Sequence, residues 1–506
     1  MQKYHCRILK QIMSSTEQPI LQIKDFSLAF KGKGLSQSVL QNTFLTINQG
    51  DIVGLVGPSG TGKSVLARSI FNAWSFEKVV QSGEILFFEN GRVRNLITKK
   101  RGANHDVYGK HISMVFQEPK LAFNPVKRVG HQILEVAKKH LLLNDKEALN
   151  EVEKALELVS LETSHLKAYP HELSGGQLQR LMIAMAIITK PKLIIADEPT
   201  TSLDSVAQKQ ILELFKKLNK EFRTALLMIT HNPAVLDFLN AKTYQLKNKS
   251  LVEKADFEKH AINTVVSNNS TAENVISIND LNFSYSENDN VLNNVAINLN
   301  DGEVLGIVGS SGCGKSTLAK VLCGLEIGSE KPTPQLKIGK VQLIFQHPGS
   351  ALDPSQRAIS VIKEALHVAG VNPRLQRQKK AEELLEKVGF PLDHKEKHPF
   401  QLSGGQKQRL CIARALCSNP EILICDEAVS SLDAQLKYQI IELLLELNKD
   451  QGLSIIFISH DIELVANTCS RILVMEKGRV VEVIESKDQL QAPKSNALNE
   501  LLNSII

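Results

Sequence analysis

The chain of 506 residues carries 60 Lys and Arg against 54 Asp and Glu, a formal net charge of +6, with 42% hydrophobic and 23% charged residues. That composition suits two to four compact domains and excludes a chain disordered throughout; so small a basic excess, with no dense Lys/Arg tract, argues against a nucleic-acid-binding surface. The seven cysteines form no C-x-x-C pair, so neither a zinc site nor a disulfide framework is expected, and reduced thiols in a cytosolic protein are the reading.

Residues 1–16 lack the apolar core of a signal peptide. The first β-branched run, Val53–Val56, leads at once into Gly57-Pro58-Ser59-Gly60-Thr61-Gly62-Lys63-Ser64 and then a helical pattern. Strand, glycine-rich turn and helix in that order make a phosphate loop: glycines let backbone N–H groups converge on phosphate oxygens, and the helix N-terminus adds its dipole. Lys63 would meet the β/γ-phosphates and the Ser64 hydroxyl would ligate Mg²⁺. Further on come Gln117, then Leu-Ser-Gly-Gly-Gln at Leu173, whose Ser174, Gly175, Gly176 and Gln177 open a helical pattern, Leu178–Ile188, with Ser at the N-cap. The apolar run Leu193–Ala196 ends in Asp197 and Glu198, and Leu226–Ile229 ends near His231. Apolar strands alternating with helices imply a mainly parallel sheet covered on both faces. The longest apolar runs are strand-sized, far short of the ~20 residues a bilayer span needs.

The same landmarks then recur. Gly309-Ser310-Ser311-Gly312-Cys313-Gly314-Lys315-Ser316 follows Val304–Val308 and lies 252 residues after the first loop. Gln346, the second signature at Leu402 (Ser403, Gly404, Gly405, Gln406), Asp426, Glu427 and His460 all lie 229 residues after their counterparts. One shared register means a duplicated domain. The loss of 23 residues from the offset places an insertion in the first copy, within Asn90–Lys110. The polar stretch SNNSTAEN marks a short tether; the domains are expected at 18–255 and 274–506, with a linker at 256–273. A carboxylate ending a strand beside a phosphate loop suits a role at Mg²⁺ (Asp197, Asp426), while the next residue (Glu198, Glu427) can polarise the attacking water. A domain with one phosphate loop needs no second anion site for the same nucleotide, so each signature helix is expected to serve the other half's ATP.

Both halves, almost completely, resemble ATP-binding-cassette proteins, on the order phosphate loop, glutamine, LSGGQ, strand-Asp-Glu, Leu-Asp turn and histidine. The resemblance implies an α/β fold of two P-loop NTPase domains, each with a RecA-like, mainly parallel core sheet, an N-terminal antiparallel β-subdomain and a helical subdomain carrying LSGGQ. It implies ATP and Mg²⁺ as cofactors and two composite sites in a head-to-tail pairing within the chain: Lys63, Ser64, Asp197 and Glu198 with Ser403–Gln406, and Lys315, Ser316, Asp426 and Glu427 with Ser174–Gln177. Gln117 and Gln346 would sense Mg²⁺ and water, Asp204 and Asp433 would lie in turns at the interface, and His231 and His460 would contact the γ-phosphate. Phe30 and Tyr285 match the aromatic that stacks on adenine, although a core aromatic in an N-terminal strand is the ordinary reading of each.

FQEPKLAFNPV and IADEPTTSLD in the first half, FQHPGSALDP and ICDEAVSSLD in the second, resemble the two ATPase subunits of oligopeptide/dipeptide/nickel importers, here fused. That resemblance implies two integral-membrane permease subunits and an extracytoplasmic binding protein as partners, at the cytoplasmic face of the membrane and without nucleic acid. The second half runs to Ile506 without the Cys-containing, Pro-rich extension of many peptide transporters, which resembles the nickel and metal-chelate branch. Two alternatives stand: soluble tandem cassettes acting on ribosomes or DNA, which differ by long charged linkers or zinc-binding insertions, and tandem sugar-importer ATPases, whose second site departs from the full motif set.

Overall fold

The computed structural model describes residues 19–31, 36–57, 60–74, 78–98, 102–200, 203–253, 274–285, 290–326, 340–346, 348–430, 432 and 434–505. They form two compact units. The expected linker, Pro58, Ser59, Asp433 and residues 1–16 lie outside the described residues.

The first unit opens with β1 (Pro19–Lys31), β2 (Ser36–Asn48), β3 (Ile52–Val56), α1 (Lys63–Ile70), β4 (Val79–Glu89), β5 (Arg92–Asn95), β6 (Ile112–Val115), α2 (Pro119–Ala122), α3 (Val129–Leu141) and α4 (Asp145–Leu158). It continues with α5 (Gly175–Ile187), β7 (Leu193–Asp197), α6 (Ser205–Phe222), β8 (Ala225–Ile229), α7 (Pro233–Phe238), β9 (Lys242–Lys247) and β10 (Ser250–Glu253). An antiparallel sheet runs in the order β2-β1-β4-β5; the core sheet runs β10-β9-β3-β8-β7-β6, parallel apart from the β9/β10 hairpin. Every residue of β7 and β8 is buried. Their side chains alternate between two cores: Ile194, Ala196, Leu226 and Met228 pack with the helices, while Leu193, Ile195, Leu227 and Ile229 pack with α1 and the antiparallel sheet. A strand covered on both faces reads as an unbroken apolar run for this reason.

The second unit repeats the plan: β11 (Asn274–Ser284), β12 (Asn290–Asn300), β13 (Val304–Gly309), α8 (Lys315–Leu322), β14 (Val341–Ile344), α9 (Pro348–Ala351), α10 (Ala358–Val368), α11 (Arg374–Lys387) and α12 (Gly404–Leu416). Then follow β15 (Ile422–Asp426), α13 (Ala434–Gln451), β16 (Ser454–Ile458), α14 (Ile462–Thr468), β17 (Arg471–Glu476), β18 (Arg479–Ile484) and α15 (Asn496–Asn503). Its core sheet runs β14-β15-β16-β13-β17-β18, parallel apart from β17/β18, beside the antiparallel pair β11/β12. Residues 71–111 join α1 to β6, whereas residues 323–340 join α8 to β14, and the difference is the whole 23-residue shift in register. In the first unit the longer stretch includes β4 and β5 of the antiparallel sheet, and the expected interval, Asn90–Lys110, lies within that stretch and holds β5. Among the described residues the cysteines are free; burial pushes the Cys425 thiol up to about 12, so it stays a protonated packing group.

One glycine in each half sets how the unit closes over its core strand. A Cβ on Gly54 of β3 would stand 2.4 Å from Leu236 Cδ1, and one on Gly306 of β13 would stand 2.2 Å from Val465 Cγ1. The missing side chain lets α7 and α14, which follow His231 and His460, lie directly on the strand that launches the phosphate loop. Gly54→Ala and Gly306→Ala should each destabilise their own unit by about 1–3 kcal/mol through overpacking, read as an earlier denaturation midpoint for that half; an unchanged midpoint would show that the helices can retreat freely.

Candidate active site

In both units the landmarks gather along one edge of the core sheet, at the C-terminal ends of its parallel strands. Across the first unit they follow the strand order: the phosphate loop after β3, His231 after β8, Asp197 and Glu198 at the end of β7, and Gln117 after β6. The second unit repeats it with the loop after β13, His460 after β16, Asp426 and Glu427 at the end of β15, and Gln346 after β14. Open parallel sheets bind ligands at this edge.

Gly62 and Gly314 cap α1 and α8 in left-handed backbone, φ 112° and 106°. A Cβ there would stand 2.9 Å from Val39 Cγ1 or 3.0 Å from Leu292 Cδ2, so the turn needs glycine on both counts. The loop holds its lysine: Lys63 Nζ donates to the Gly57 carbonyl at 2.6 Å, and Lys315 Nζ donates to the Gly309 and Ser310 carbonyls, both at 2.8 Å. Gly60 and Thr61 complete the described part of the first loop, and Ser311, Gly312 and Cys313 that of the second; Cys313 Sγ lies 3.8 Å from Lys315 Nζ.

The serine after each lysine reaches across the sheet. Ser64 Oγ donates to Asp197 Oδ1 at 3.1 Å, and Ser316 Oγ to Asp426 Oδ1 at 3.1 Å. Both aspartates are buried, and burial raises their pKa above the usual carboxylate range despite the serine bond and the nearby lysine. The glutamates that follow are held in left-handed backbone, φ 48° at Glu198 and 47° at Glu427, a region few residues other than glycine adopt. Their amides bond the Ile229 and Ile458 carbonyls at 2.9 and 3.0 Å. This twist turns each carboxylate away from the aspartate toward two partners: Gln117 Nε2 donates to Glu198 Oε2 at 3.0 Å and His231 Nδ1 lies 3.4 Å from Oε1; Gln346 Nε2 donates to Glu427 Oε2 at 2.6 Å and His460 Nδ1 lies 3.4 Å from Oε1. Burial alone would raise Glu427, but the hydrogen bond and charge of His460, the Lys315 ammonium and the Gln346 bond hold it below the ordinary value.

The signature serines, both exposed, start their helices. Ser174 Oγ accepts from Gln177 N at 3.2 Å and Ser403 Oγ from Gln406 N at 3.3 Å, each the first half of a capping box. The Gln177 and Gln406 side chains close those boxes, so in this structure they face their own helix turn. Beyond the first glycine, Gly175 has open space and Gly404 meets only Leu432 Cδ2 at 3.7 Å. Asp204 sits immediately before α6. Phe30 is half-buried, edge-on to Trp74 at 5.3 Å; Tyr285 is 47% exposed, edge-on to Phe283, with its hydroxyl 3.5 Å from Thr317 Oγ1 on α8. The aromatic of the second half therefore leans over the helix of its phosphate loop, whereas that of the first is engaged by a tryptophan.

These residues fit ATP and Mg²⁺. A hydroxyl and a carboxylate oxygen converging at 3.1 Å are the hard donors that Mg²⁺ takes, with the remaining positions left to phosphate and water. Bound there, the metal would neutralise charge on the β- and γ-phosphates. On the protein side, the lysine and the helix N-terminus hold the phosphates, and the glutamate, turned toward its glutamine and histidine, is an acceptor for a proton from water. Because burial raises the folded-state pKa of Asp197 and Asp426, their ionised forms weaken the apo fold at neutral pH, and that penalty shrinks as pH falls toward the raised value. Asp197→Asn and Asp426→Asn should therefore raise apo-protein stability by on the order of 1 kcal/mol while removing Mg²⁺-dependent ATPase at the altered site, measured by thermal melts beside phosphate release; a lower melting temperature would contradict the burial argument.

Two segments, residues 40–201 and 292–430, match the family model described as ABC transporter. The glutathione import ATP-binding protein GsiA of Pectobacterium atrosepticum is 32% identical, over 97% of this chain and 90% of its own length. The uncharacterized ABC transporter ATP-binding protein YejF of Escherichia coli K12 is 32% identical, over 96% of this chain and 99% of its own. Among solved structures, archaeal ribosome recycling factor aABCE1, in complex with the ribosomal stalk protein aP1, matches with a TM-score of 0.62 at 21% identity, over 94% of this chain and 92% of that one, a likeness of fold alone. With a cassette matched in each half and relatives aligned along almost its whole length, the chain belongs to the ABC transporter family and is a tandem ATP-hydrolysing member of it.

Proposed function

We propose that this chain is the energy-coupling ATPase of an ABC importer, working on two permease subunits at the cytoplasmic face of the membrane, with an extracytoplasmic binding protein delivering short peptides or metal chelates. The observation that carries the energy-coupling role is the complete hydrolytic set in both halves: Lys63, Ser64, Asp197, Glu198, Gln117 and His231, and their partners Lys315, Ser316, Asp426, Glu427, Gln346 and His460, in the same order along the sheet edge. Two intact sites favour this reading over a sugar-importer ATPase with a degenerate second site. Import as the direction of work is supported by the likeness to GsiA, a glutathione import ATP-binding protein, and glutathione is itself a tripeptide, which favours the peptide class over nickel. Among the described residues no helix is long and apolar enough to cross a membrane, in keeping with a peripheral subunit.

In this reading the halves, bounded at 18–255 and 274–506, pair so that Ser403–Gln406 complete the ATP site of the first phosphate loop and Ser174–Gln177 that of the second, with Asp204 and Asp433 in the turns between. Phe30 and Tyr285 would stack on adenine. Each signature helix start is already capped and open beyond its first glycine, which suits an anion arriving from outside its own unit. ATP would act as a clamp; for a near-complete switch it must favour the closed state by about 5 kcal/mol. Closure would pull on the permease through 117–125 and 346–354.

The double variant Glu198→Gln, Glu427→Gln should keep nucleotide binding and lose turnover by about 10²–10⁴-fold, followed by phosphate release and equilibrium binding of a fluorescent ATP analogue. Turnover at the wild-type rate would remove both glutamates from the chemistry. For the importer role, the tagged chain should recover integral-membrane permease subunits from detergent-solubilised membranes, and its deletion should abolish uptake of a labelled short peptide; no permease and unchanged uptake would defeat it.

A further inference from the structure

Each signature glutamine makes a contact that the ATPase motifs do not require. Ser174 N donates to Gln177 Oε1 at 3.0 Å, and Ser403 N to Gln406 Oε1 at 3.1 Å. A backbone N–H can only donate, so Oε1 is the acceptor and the amide nitrogen must face the other way. There Gln177 Nε2 lies 3.1 Å from His165 Nε2, and Gln406 Nε2 lies 3.0 Å from His394 Nδ1. An amide nitrogen also only donates, so each ring nitrogen accepts. In the first half the tautomer is settled independently, because His165 Nδ1 lies 3.0 Å from the Glu162 carbonyl and donates to it. The two histidines keep the 229-residue register of the repeat yet offer different ring nitrogens to the same task.

The turns bearing these histidines are not loose surface. The 3₁₀ turn Thr163–Lys167 leads to Ala168, whose carbonyl accepts from Val129 N at 3.0 Å where α3 begins. A Cβ on Gly130 would stand 2.5 Å from the Leu166 carbonyl, so that helix start and the turn touch backbone to backbone. In the second half Ala358 N donates to the Lys397 carbonyl and Ile359 N to the Lys395 carbonyl, both at 2.9 Å, where α10 begins beside the turn Leu392–His394. Both α3 and α10 continue the segments that follow Gln117 and Gln346. In each half the histidine thus links the turn that abuts the helix leaving the glutamine segment to the side-chain amide that closes the signature cap.

We propose that His165 and His394 are positioning residues for ATP hydrolysis, each accepting from the signature glutamine and so fixing the start of α5 or α12 relative to the helix that follows Gln117 or Gln346. This rests on the reading in which the capped signature completes the other half's ATP site. Without the acceptor, the glutamine amide turns to water and the serine cap is held on one side only, so the signature would meet nucleotide in a spread of orientations.

The geometry names its own rescue variants. The Oε1 of a glutamine can replace His165 Nε2, and the Oδ1 of an asparagine can replace His394 Nδ1. The pair His165→Leu, His394→Leu should lower kcat for ATP about tenfold, the size expected for one lost hydrogen bond in each cap, with KM for ATP and the fraction of chain binding a fluorescent ATP analogue unchanged. The pair His165→Gln, His394→Asn should recover most of that kcat. Wild-type kcat in the leucine pair would overturn the proposal, and so would a glutamine/asparagine pair as slow as the leucine pair. Should the leucine pair fail to fold, the glutamine/asparagine pair decides alone: near-wild-type kcat supports the acceptor role and a tenfold loss defeats it. Ser174→Ala with Ser403→Ala, assayed alongside, separates the two readings: loss of activity there with full activity in the leucine pair sinks only the histidine role, whereas full activity in the serine pair sinks the composite site and the histidine role with it.

Discussion

A serine hydroxyl 3.1 Å from an aspartate, once in each half, is the contact on which the rest of each site depends. The two residues belong to elements that are not neighbours: β8 lies between β3 and β7 in the first sheet, and β16 between β13 and β15 in the second. The bond spans the intervening strand, whose end carries His231 or His460, and ties the first turn of the phosphate-loop helix to the end of the carboxylate strand. Phosphate cradle, metal ligands, histidine and glutamate thereby share one rigid edge. Placing them on strand ends and a helix start rather than on long loops supplies the sub-ångström precision that positioning and electrostatic catalysis need.

Along that edge the adjacent carboxylates are driven in opposite directions. Asp426 is pushed up by burial, while Glu427, one residue on, is held down by an imidazole, an ammonium and an amide. Two acids whose surroundings separate them so divide the labour: the buried one gains most from a cation, and the one kept anionic is the base. Backbone shape makes the division possible, because the left-handed turn at Glu427 sends its side chain to Gln346 and His460 and away from Ser316.

Much of this was legible in the sequence because its signals are local. A fully buried parallel strand is an unbroken apolar run, and Leu193–Ala196 and Leu226–Ile229 each appear as strands extended by a residue at one end. Lys63 and Ser64 must sit at a helix start because the glycine loop leaves no other geometry, and the serine of LSGGQ is an N-cap for the same local reason. What escaped was non-local or conformational. Nothing in the string Asp-Glu announces a left-handed second residue, since glutamate has no preference for that region. Nor do His165 and His394, twelve residues before their glutamines in turns of unrelated sequence, carry a motif; only their shared register could have drawn attention to them. The insertion was counted by the change in register, and the difference in length falls between α1 and β6, where the expected interval lies. Phe30 and Tyr285 looked equivalent as aromatics near the ends of first strands, and packing made them different through a tryptophan present beside only one of them.

The backbone at Glu198 and Glu427 bears on how such a protein can be improved. A left-handed residue is most at ease as glycine or asparagine, and a side chain longer than these holds that shape against its own preference. A library selected for expression or heat resistance alone would therefore drift toward those two residues at both positions, and its most robust members would be empty engines. Directed evolution of this scaffold needs a turnover requirement in every round, because at positions 198 and 427 the pull of stability and the need for a base point in opposite directions.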